Sequence, residues 1–397
     1  MLARPAFGHG PGRRRVWAGR VLAAIALAAI AIATLTPRPP ELPLPRMLGV
    51  VSGEMELQDF LANIVLFVPF GLGIGLAAAR TRRAVLVALA VSALIEVTQE
   101  FFIPGRDASV ADIVANVIGG TIGGWMGVHA RMLVRPSRSE ARVLAAAGTL
   151  GAAIVFACTA WLIAPGAPSA QYEGQFAQHW VPHHGVPLGV LDATINGLPF
   201  RWDLITVTED VNRGLRAGRL RLDARLIPGA PFDGRSRLVR VIEHEHVENR
   251  PLVALFADGR DLLFSARTRA DGWHLRSPWV RVRNAFPARG PDAIHAAPDD
   301  WAARLVAGRD TIVIGGERDR GTMRAWARGR TGQSEAVVAL TPAIGWMLFT
   351  PVGATPTDGE TILSVLWVAL VAGAPLYWLA AAIVSKRALS TDNQRRL

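Results

Sequence analysis

Hydrophobic positions in this chain follow two regimes. Long apolar runs occupy 21–35, 58–79, 84–103, 110–130 and 143–163, and one more occupies 361–384. Most come close to the roughly 20 residues that an α-helix needs to cross a bilayer core, so six transmembrane helices are expected. Between the last two runs the pattern shortens to alternation, as in 220–226 (LRLDARL) and 237–245 (RLVRVIEHE). A period of two marks half-buried β-strands. Candidate strands lie at 189–195, 204–207, 220–226, 238–243, 252–257, 261–267, 279–282, 311–315, 322–327 and 336–341. Asn196-Gly197, Asp258-Gly259 and Asp271-Gly272 supply turn signals among them. Many short strands at such spacing predict an all-β sandwich or jelly roll. Only the region around 298–307 reads as a short helix there, and a segment of this size buries a core without disulfides. The expected organisation is a helical bundle over 1–164, a β-sandwich over 165–358, and a final helix with a short tail over 359–397.

Composition agrees with that division. Of 397 residues, 51% are hydrophobic and 19% charged, an average typical of membrane helices beside an ordinary soluble part. The net charge of +11 is almost entirely arginine, Lys386 being the only lysine. These arginines gather at the ends of apolar runs, the signature of membrane orientation rather than of a phosphate groove, and nucleic-acid binding is excluded on that ground. Arg13, Arg14, Arg15 and Arg20 open the first run. Arg80, Arg82 and Arg83 lie between the second and third, and Arg131, Arg135, Arg138 and Arg142 between the fourth and fifth. Lys386, Arg387, Arg395 and Arg396 follow the last, whereas the connections around 37–57 and 104–109 are poorer in positive charge. The positive-inside rule then puts both termini in the cytoplasm and 165–358 outside, in the periplasm or the extracellular space. A basic start before a short apolar run also describes a signal peptide. No A-x-A cleavage site follows and Trp17 extends the run, so a retained first helix is expected. Cys158, the single cysteine, allows neither an intrachain disulfide nor a cysteine zinc site and reads as a small buried thiol.

The second to fourth apolar runs carry polar residues where hydrocarbon disfavours them: Asp59, Asn63, Glu96, Gln99, Arg106, Asp107, Asp112 and Asn116. Intramembrane ionisable residues are functional-site hypotheses by default. Asp59 and Asn63 share one helix face, as do Asp112 and Asn116, because each pair is four residues apart. Glu100 stands one turn after Glu96. The charge-based topology collects all of these groups at one membrane depth near the outer leaflet, with Arg106 able to bridge Glu96 or Asp112. Pro69 is expected to kink the second helix, and Gly119, Gly120, Gly123, Gly124 and Gly127 offer small faces for close helix packing.

The order Asp59-xxx-Asn63-xxx-Phe67-x-Pro69-x-Gly71, Ser92-xx-Ile95-Glu96-xx-Gln99, Gly105-Arg106, Asp112-xxx-Asn116-xx-Gly119 resembles the VanZ-like family over about 20–135. That resemblance implies a bacterial membrane protein of the inner (plasma) membrane. The founding member is linked to glycopeptide (teicoplanin) resistance, but the resemblance settles no biochemical activity. The large outer domain and the sixth helix depart from the minimal family pattern. Separately, the segment 228–267, with VRVIEHEHVENRPLVALFADGRDLLFSART, resembles the laminin-G/concanavalin A-like group, which implies a hairpin at Asp258-Gly259.

Three roles stay open for the polar cluster. It can be structural glue between helices, worth roughly 0.6–2 kcal/mol per group. It can bind a lipid or lipid-linked glycan, with Arg106 as bidentate phosphate partner. It can be catalytic on a phosphorylated or glycosylated lipid at the outer leaflet, with Glu96 or Asp112 as general base. No Ser/His/Asp order supports catalysis, and no catalytic residue is assigned. The outer domain is expected to bind cell-wall glycan or an envelope protein. His244 and His246 with His179, His183 or His184 could ligate zinc, and Asp258, Asp261, Glu209 and Asp210 could bind calcium, but solvent-facing filler and a hairpin turn explain them equally well. Trp202, Trp273, Trp279 and Trp301 could stack sugars, though core packing is the commoner fate. No cofactor motif occurs, and no metal or cofactor is expected.

Overall fold

A computed structural model describes residues 12–36, 57–103, 108–166, 171–177, 189–201, 203–204, 208–227, 235–243, 251–286, 311–329, 332–350, 352–353 and 359–394. The helices are α1 (Arg13–Leu35), α2 (Leu57–Ala78), α3 (Thr81–Phe102), α4 (Val110–Val128), α5 (Ala130–Val134), α6 (Arg138–Leu162), α7 (Thr208–Arg216) and α8 (Gly359–Gln394). Among the described residues, five are long and apolar enough to cross a membrane: α1, α2, α3, α6 and the stretch Gly359–Val384 of α8. The expected span over 110–130 is the exception. At 1.5 Å per residue its helix α4 reaches roughly 28 Å, but Asp112, Asn116 and five glycines dilute its apolar character. Pro69 is carried inside α2 without interrupting it.

Two compact units result, one from 1–149 with 374–397 and the other from 150–373. In the first, α2 lies against α4 with almost no side chain between them. A Cβ on Gly127 would sit 2.5 Å from the Leu72 carbonyl oxygen, and one on Gly119 or Gly123 would strike the carbonyl oxygens of Ile64 or Val68. The pairs 64/119, 68/123 and 72/127 share one offset of 55 residues, so α2 and α4 run parallel in fixed register. On its other face α4 receives α3, where Ala88 and Ala84 fill the space above Gly120 and Gly124. Helix α1 approaches α2 in the same way, Gly19 against Gly73. Phe67, Phe70, Ile30 and Ile95 complete the buried cluster. The Arg15 guanidinium donates to the carbonyl oxygens of Gly127 (2.7 Å) and Val128 (3.2 Å), placing a cation on the negative end of α4.

The second unit contains two six-stranded antiparallel sheets. One has the order β4-β1-β6-β7-β8-β9, from β1 (Tyr172–Phe176), β4 (Asp203–Leu204), β6 (Arg235–Glu243), β7 (Pro251–Asp258), β8 (Asp261–Ala266) and β9 (Trp279–Val282). The other has the order β12-β11-β10-β5-β2-β3, from β2 (Gly189–Ile195), β3 (Leu198–Phe200), β5 (Arg219–Ile227), β10 (Ile312–Asp319), β11 (Thr322–Gly329) and β12 (Gly332–Ala339). Tyr172, Leu238, Leu255 and Phe264 of the first sheet share one core with Ile195, Leu222, Ile314 and Met323 of the second. The unit is therefore a β-sandwich. Phe264 lies over Gly316 so closely that a Cβ there would enter its ring.

Nine of the ten expected strands overlap observed strands, those over 189–195 and 279–282 with unchanged bounds, and of the expected 204–207 only Leu204, in β4, lies among the described residues. Asn196 and Gly197, both at positive φ, turn β2 into β3, and Gly259 at φ 58° does the same between β7 and β8. Asp271-Gly272 instead falls within a 3₁₀ turn, Arg269–Trp273. Strands β1 and β3 escape the alternation because one is YEGQF and the other carries Pro199. Helix α7 also escapes it, although Glu209 and Asp210 in its first turn and Arg213 and Arg216 in its last match the helix dipole. Cys158 is exposed on α6 rather than buried. The helix expected near 298–307 lies outside the described residues.

Within this unit the ends of two apolar helices dock onto the sandwich. At the end of α6, Ala164 accepts a hydrogen bond from Arg269 N–H (2.9 Å), and Trp161 meets Trp273 edge-on at 6.3 Å. At the start of α8, the 3₁₀ turn Pro342–Phe349 inserts Trp346 against Trp279 at 6.2 Å. Trp346 donates to Ser364 and Trp367 to the Pro342 carbonyl, each at 3.0 Å.

The glycine seam makes a specific prediction. Gly123→Val should push α2 and α4 apart and cost about 1–3 kcal/mol or more, lowering the melting temperature of the detergent-solubilised protein. Gly151→Ala, where nothing lies within 4 Å, should change stability by about 1 kcal/mol or less. Equal melting temperatures for the two variants would contradict the seam.

Candidate functional site

At one end of the bundle the polar residues of α3 and α4 are spent on each other and on backbone. Ser92, Glu96 and Gln99 lie on one face of α3 at helical spacing and are all buried, as is Asn116 on α4. The Ser109 N–H donates to Glu96 Oε2 at 2.7 Å, tying the end of α3 to the start of α4. Ser109 itself is the N-cap of α4, its Oγ accepting from the Asp112 N–H at 3.4 Å. Asn116 Nδ2 donates to Ser92 Oγ at 2.9 Å across the interface between α3 and α4. Gln99 Nε2 donates to the Thr34 carbonyl oxygen at 2.8 Å, satisfying one of the orphan acceptors at the end of α1. A single face of α3 thus reaches both α1 and α4. The Ala108 N–H adds a longer bond to Glu100 Oε2, 3.3 Å.

The remaining expected members lie around this lock. Asp59 is exposed in the first turn of α2, and Asn63 is half-buried one turn later. Asp112 is half-buried in the first turn of α4. Close α2–α4 contacts at offsets of 49 (71/120, 75/124) and 55 (64/119, 68/123, 72/127) bracket Asp59 between residues 108 and 114, so Asp59 and Asp112 share one turn of the bundle. Among the described residues, the Asn116 Oδ1 atom is buried without a donor. Arg106 and Asp107 lie outside the described residues.

Two contributors, Ser109 and the Thr34 carbonyl, were not singled out from sequence, and Ser92 entered only as part of the family motif. Ser92 stands four residues before Glu96 and belongs to its face, a spacing that identifies it. Ser109-x-x-Asp112 is a helix N-cap signature. The Thr34 carbonyl has no signature, since backbone acceptors become visible only when a helix end meets a partner.

In the sandwich the alternative candidates separate. His179, His183, His184, His244, His246, Trp202 and Trp301 lie outside the described residues. Among those described, no group of three or more His, Cys, Asp or Glu side chains is placed to hold a metal. Asp258 and Asp261 embrace Arg281, at 3.5 and 2.9 Å, and Glu360 lies 3.4 Å from the same guanidinium. A cation already occupies the position that calcium would need. Glu209 and Asp210 face Arg213 on α7. Trp279 is fully buried, whereas Trp273 is exposed.

The lock between α3 and α4 rests on an acceptor at position 96, not on its charge. Glu96→Gln keeps an oxygen for the Ser109 N–H and should melt within about 1 kcal/mol of the parent. Glu96→Leu leaves that N–H without its acceptor and should cost about 1–3 kcal/mol. Thermal denaturation in detergent, followed by circular dichroism, compares them directly.

Residues 21–131, the segment that builds α1 to α4 and carries this network, match the VanZ/LLP1 family model. No curated protein and no solved structure matches the chain. The helical bundle is VanZ-like, and its apolar helices fit a membrane protein of that type.

Proposed function

We propose that this protein is a multi-pass protein of the bacterial inner (plasma) membrane whose VanZ-like bundle binds the polar head of a lipid or lipid-linked glycan. In this reading the sandwich is a concanavalin A-like module, displayed on the outer side to bind cell-wall glycan or an envelope protein. The observation that carries the reading is the division of labour within the polar cluster. Glu96, Gln99, Ser92 and Asn116 are buried and committed to holding α1, α3 and α4 together. Asp59 is exposed and Asn63 and Asp112 are half-buried on the same turns of the bundle. Hydroxyls and amines of a glycan or headgroup pair with such carboxylates, and Arg106, between α3 and α4 in the chain, supplies a bidentate partner for a phosphate. The arginine-rich connections that alternate along the chain support the orientation, with both termini cytoplasmic.

The test uses the full chain in nanodiscs with a fluorescent polyprenyl-phosphate-linked sugar as probe. Saturable binding should weaken about tenfold in Asp112→Asn and in Arg106→Gln, the loss of one charge-assisted hydrogen bond each, with melting temperature unchanged. Undiminished binding in both variants contradicts the reading. Consumption of the probe by the parent, lost in Asp112→Asn, would replace it with a membrane enzyme acting on a glycosylated or phosphorylated lipid.

A further inference from the structure

The sandwich contains a buried arginine with no counter-charge. Arg318 lies near the end of β10, its backbone paired with Leu220 on β5 and Met323 on β11. It alternates with Gly316 and Ile314, so its side chain faces the interior of the sandwich rather than solvent. Only 2% of the residue is exposed. One Nη atom donates to the Ile163 carbonyl oxygen at 2.6 Å, at the end of α6. The Nε and the other Nη are buried and have no hydrogen-bond partner, and no carboxylate faces the guanidinium among the described residues. This is the arrangement that protein interiors avoid, because an unpaired buried charge costs several kcal/mol. Burial pushes its pKa down to about 10, and the group remains protonated at neutral pH.

Arg318 also lies in the wall of a cleft of about 460 Å³, a wall that includes Arg216 at the end of α7, Arg320 in the β10–β11 turn, Ala160 of α6 and Ile163 just beyond it. Arg216 and Arg320 are exposed. No acidic residue lines the cleft, although Asp319 stands between two of these arginines in sequence. Asp319 is drawn instead to Arg219, 3.4 Å away. Three arginines therefore line one cavity, beside an apolar wall at the end of a helix apolar enough to cross a membrane.

We infer that this cleft is an anion site for a phosphate group, with the buried Arg318 fork as its floor and Arg216 and Arg320 as its rim. A phosphate offers several acceptor oxygens to donors that otherwise have none, and guanidinium groups match its geometry with paired N–H bonds. It also supplies the missing counter-charge. The wall of Ala160 and Ile163 suits the glycerol and first acyl carbons of a phospholipid, and the rim suits free phosphate as well. The site shares no residue with the bundle cluster, so it stands or falls apart from the function proposed above.

The experiment takes the full chain in nanodiscs and in a neutral detergent. Inorganic phosphate is titrated into the detergent sample, and nanodiscs of phosphatidylcholine alone are compared with ones containing phosphatidylglycerol. The melting temperature should rise with the ligand that binds the folded state. A rise with phosphatidylglycerol assigns a lipid headgroup, and a rise with phosphate alone assigns the free anion. No rise with either overturns the proposal. Arg318→Met, which keeps bulk and removes charge, should abolish the effect. Should that variant fail to fold, the exposed pair Arg216→Ala with Arg320→Ala decides, weakening apparent affinity at least about tenfold. Parent-like affinity in the double variant overturns the proposal too.

Discussion

Backbone touches backbone where α2 meets α4, and the placement of the bundle's polar groups depends on that contact. In hydrocarbon there is no hydrophobic gain from burying one apolar helix face against another, so close packing and hydrogen bonds must hold helices together. Glycines at 119, 123 and 127 let the carbonyl oxygens of Ile64, Val68 and Leu72 approach directly. The register this imposes leaves no freedom to slide by a turn. Asp59 and Asp112 consequently end on the same level, and the short connection from α3 brings Ser109 to Glu96. A side chain anywhere along the seam would disturb all of these relations at once.

The sandwich is governed by the opposite balance. Its interior is filled by large side chains drawn from both sheets, Tyr172, Leu222, Phe264 and Ile314 among them. Burial of that much apolar surface stabilises the unit directly, at about 25 cal/mol per Å². Polar groups inside it are then judged by whether they are paired. Arg267 meets Glu243 at 2.7 Å with both nearly buried, and Arg240 donates to Gln175 at 2.7 Å. Burial lowers Arg240 to about 10, as it does Arg318. The difference is that Arg240 has its partner inside the fold, and Arg318 has a single carbonyl.

Arginine serves several physical purposes in this chain. At 80–83 and 131–142 it biases the connections that flank apolar runs. Arg15 caps the carbonyl end of α4, and Arg281 ties two hairpin aspartates to the start of α8. A composition count treats these as one excess of positive charge. Only their partners separate orientation, capping, bracing and the uncompensated charge at Arg318.

Much was legible from residues alone because periodicity is a local property. Runs of about 20 apolar residues announced the membrane helices, alternation announced the strands of the sandwich, and the order from Asp59 to Gly119 announced a VanZ-like bundle. Local pattern failed where two tendencies competed. Pro199 masked β3, and Cys158 sits in an apolar run yet is exposed. Asp59 through Asn116 could be proposed as one cluster from spacing, but not sorted. Burial and hydrogen-bond partners depend on atoms far apart in the chain, and they alone divide Glu96, Gln99 and Asn116, buried between helices, from the exposed Asp59 and the half-buried Asp112. The same reason hid Arg318. An arginine among others in sequence becomes singular only when folding removes water from it and supplies no counter-charge.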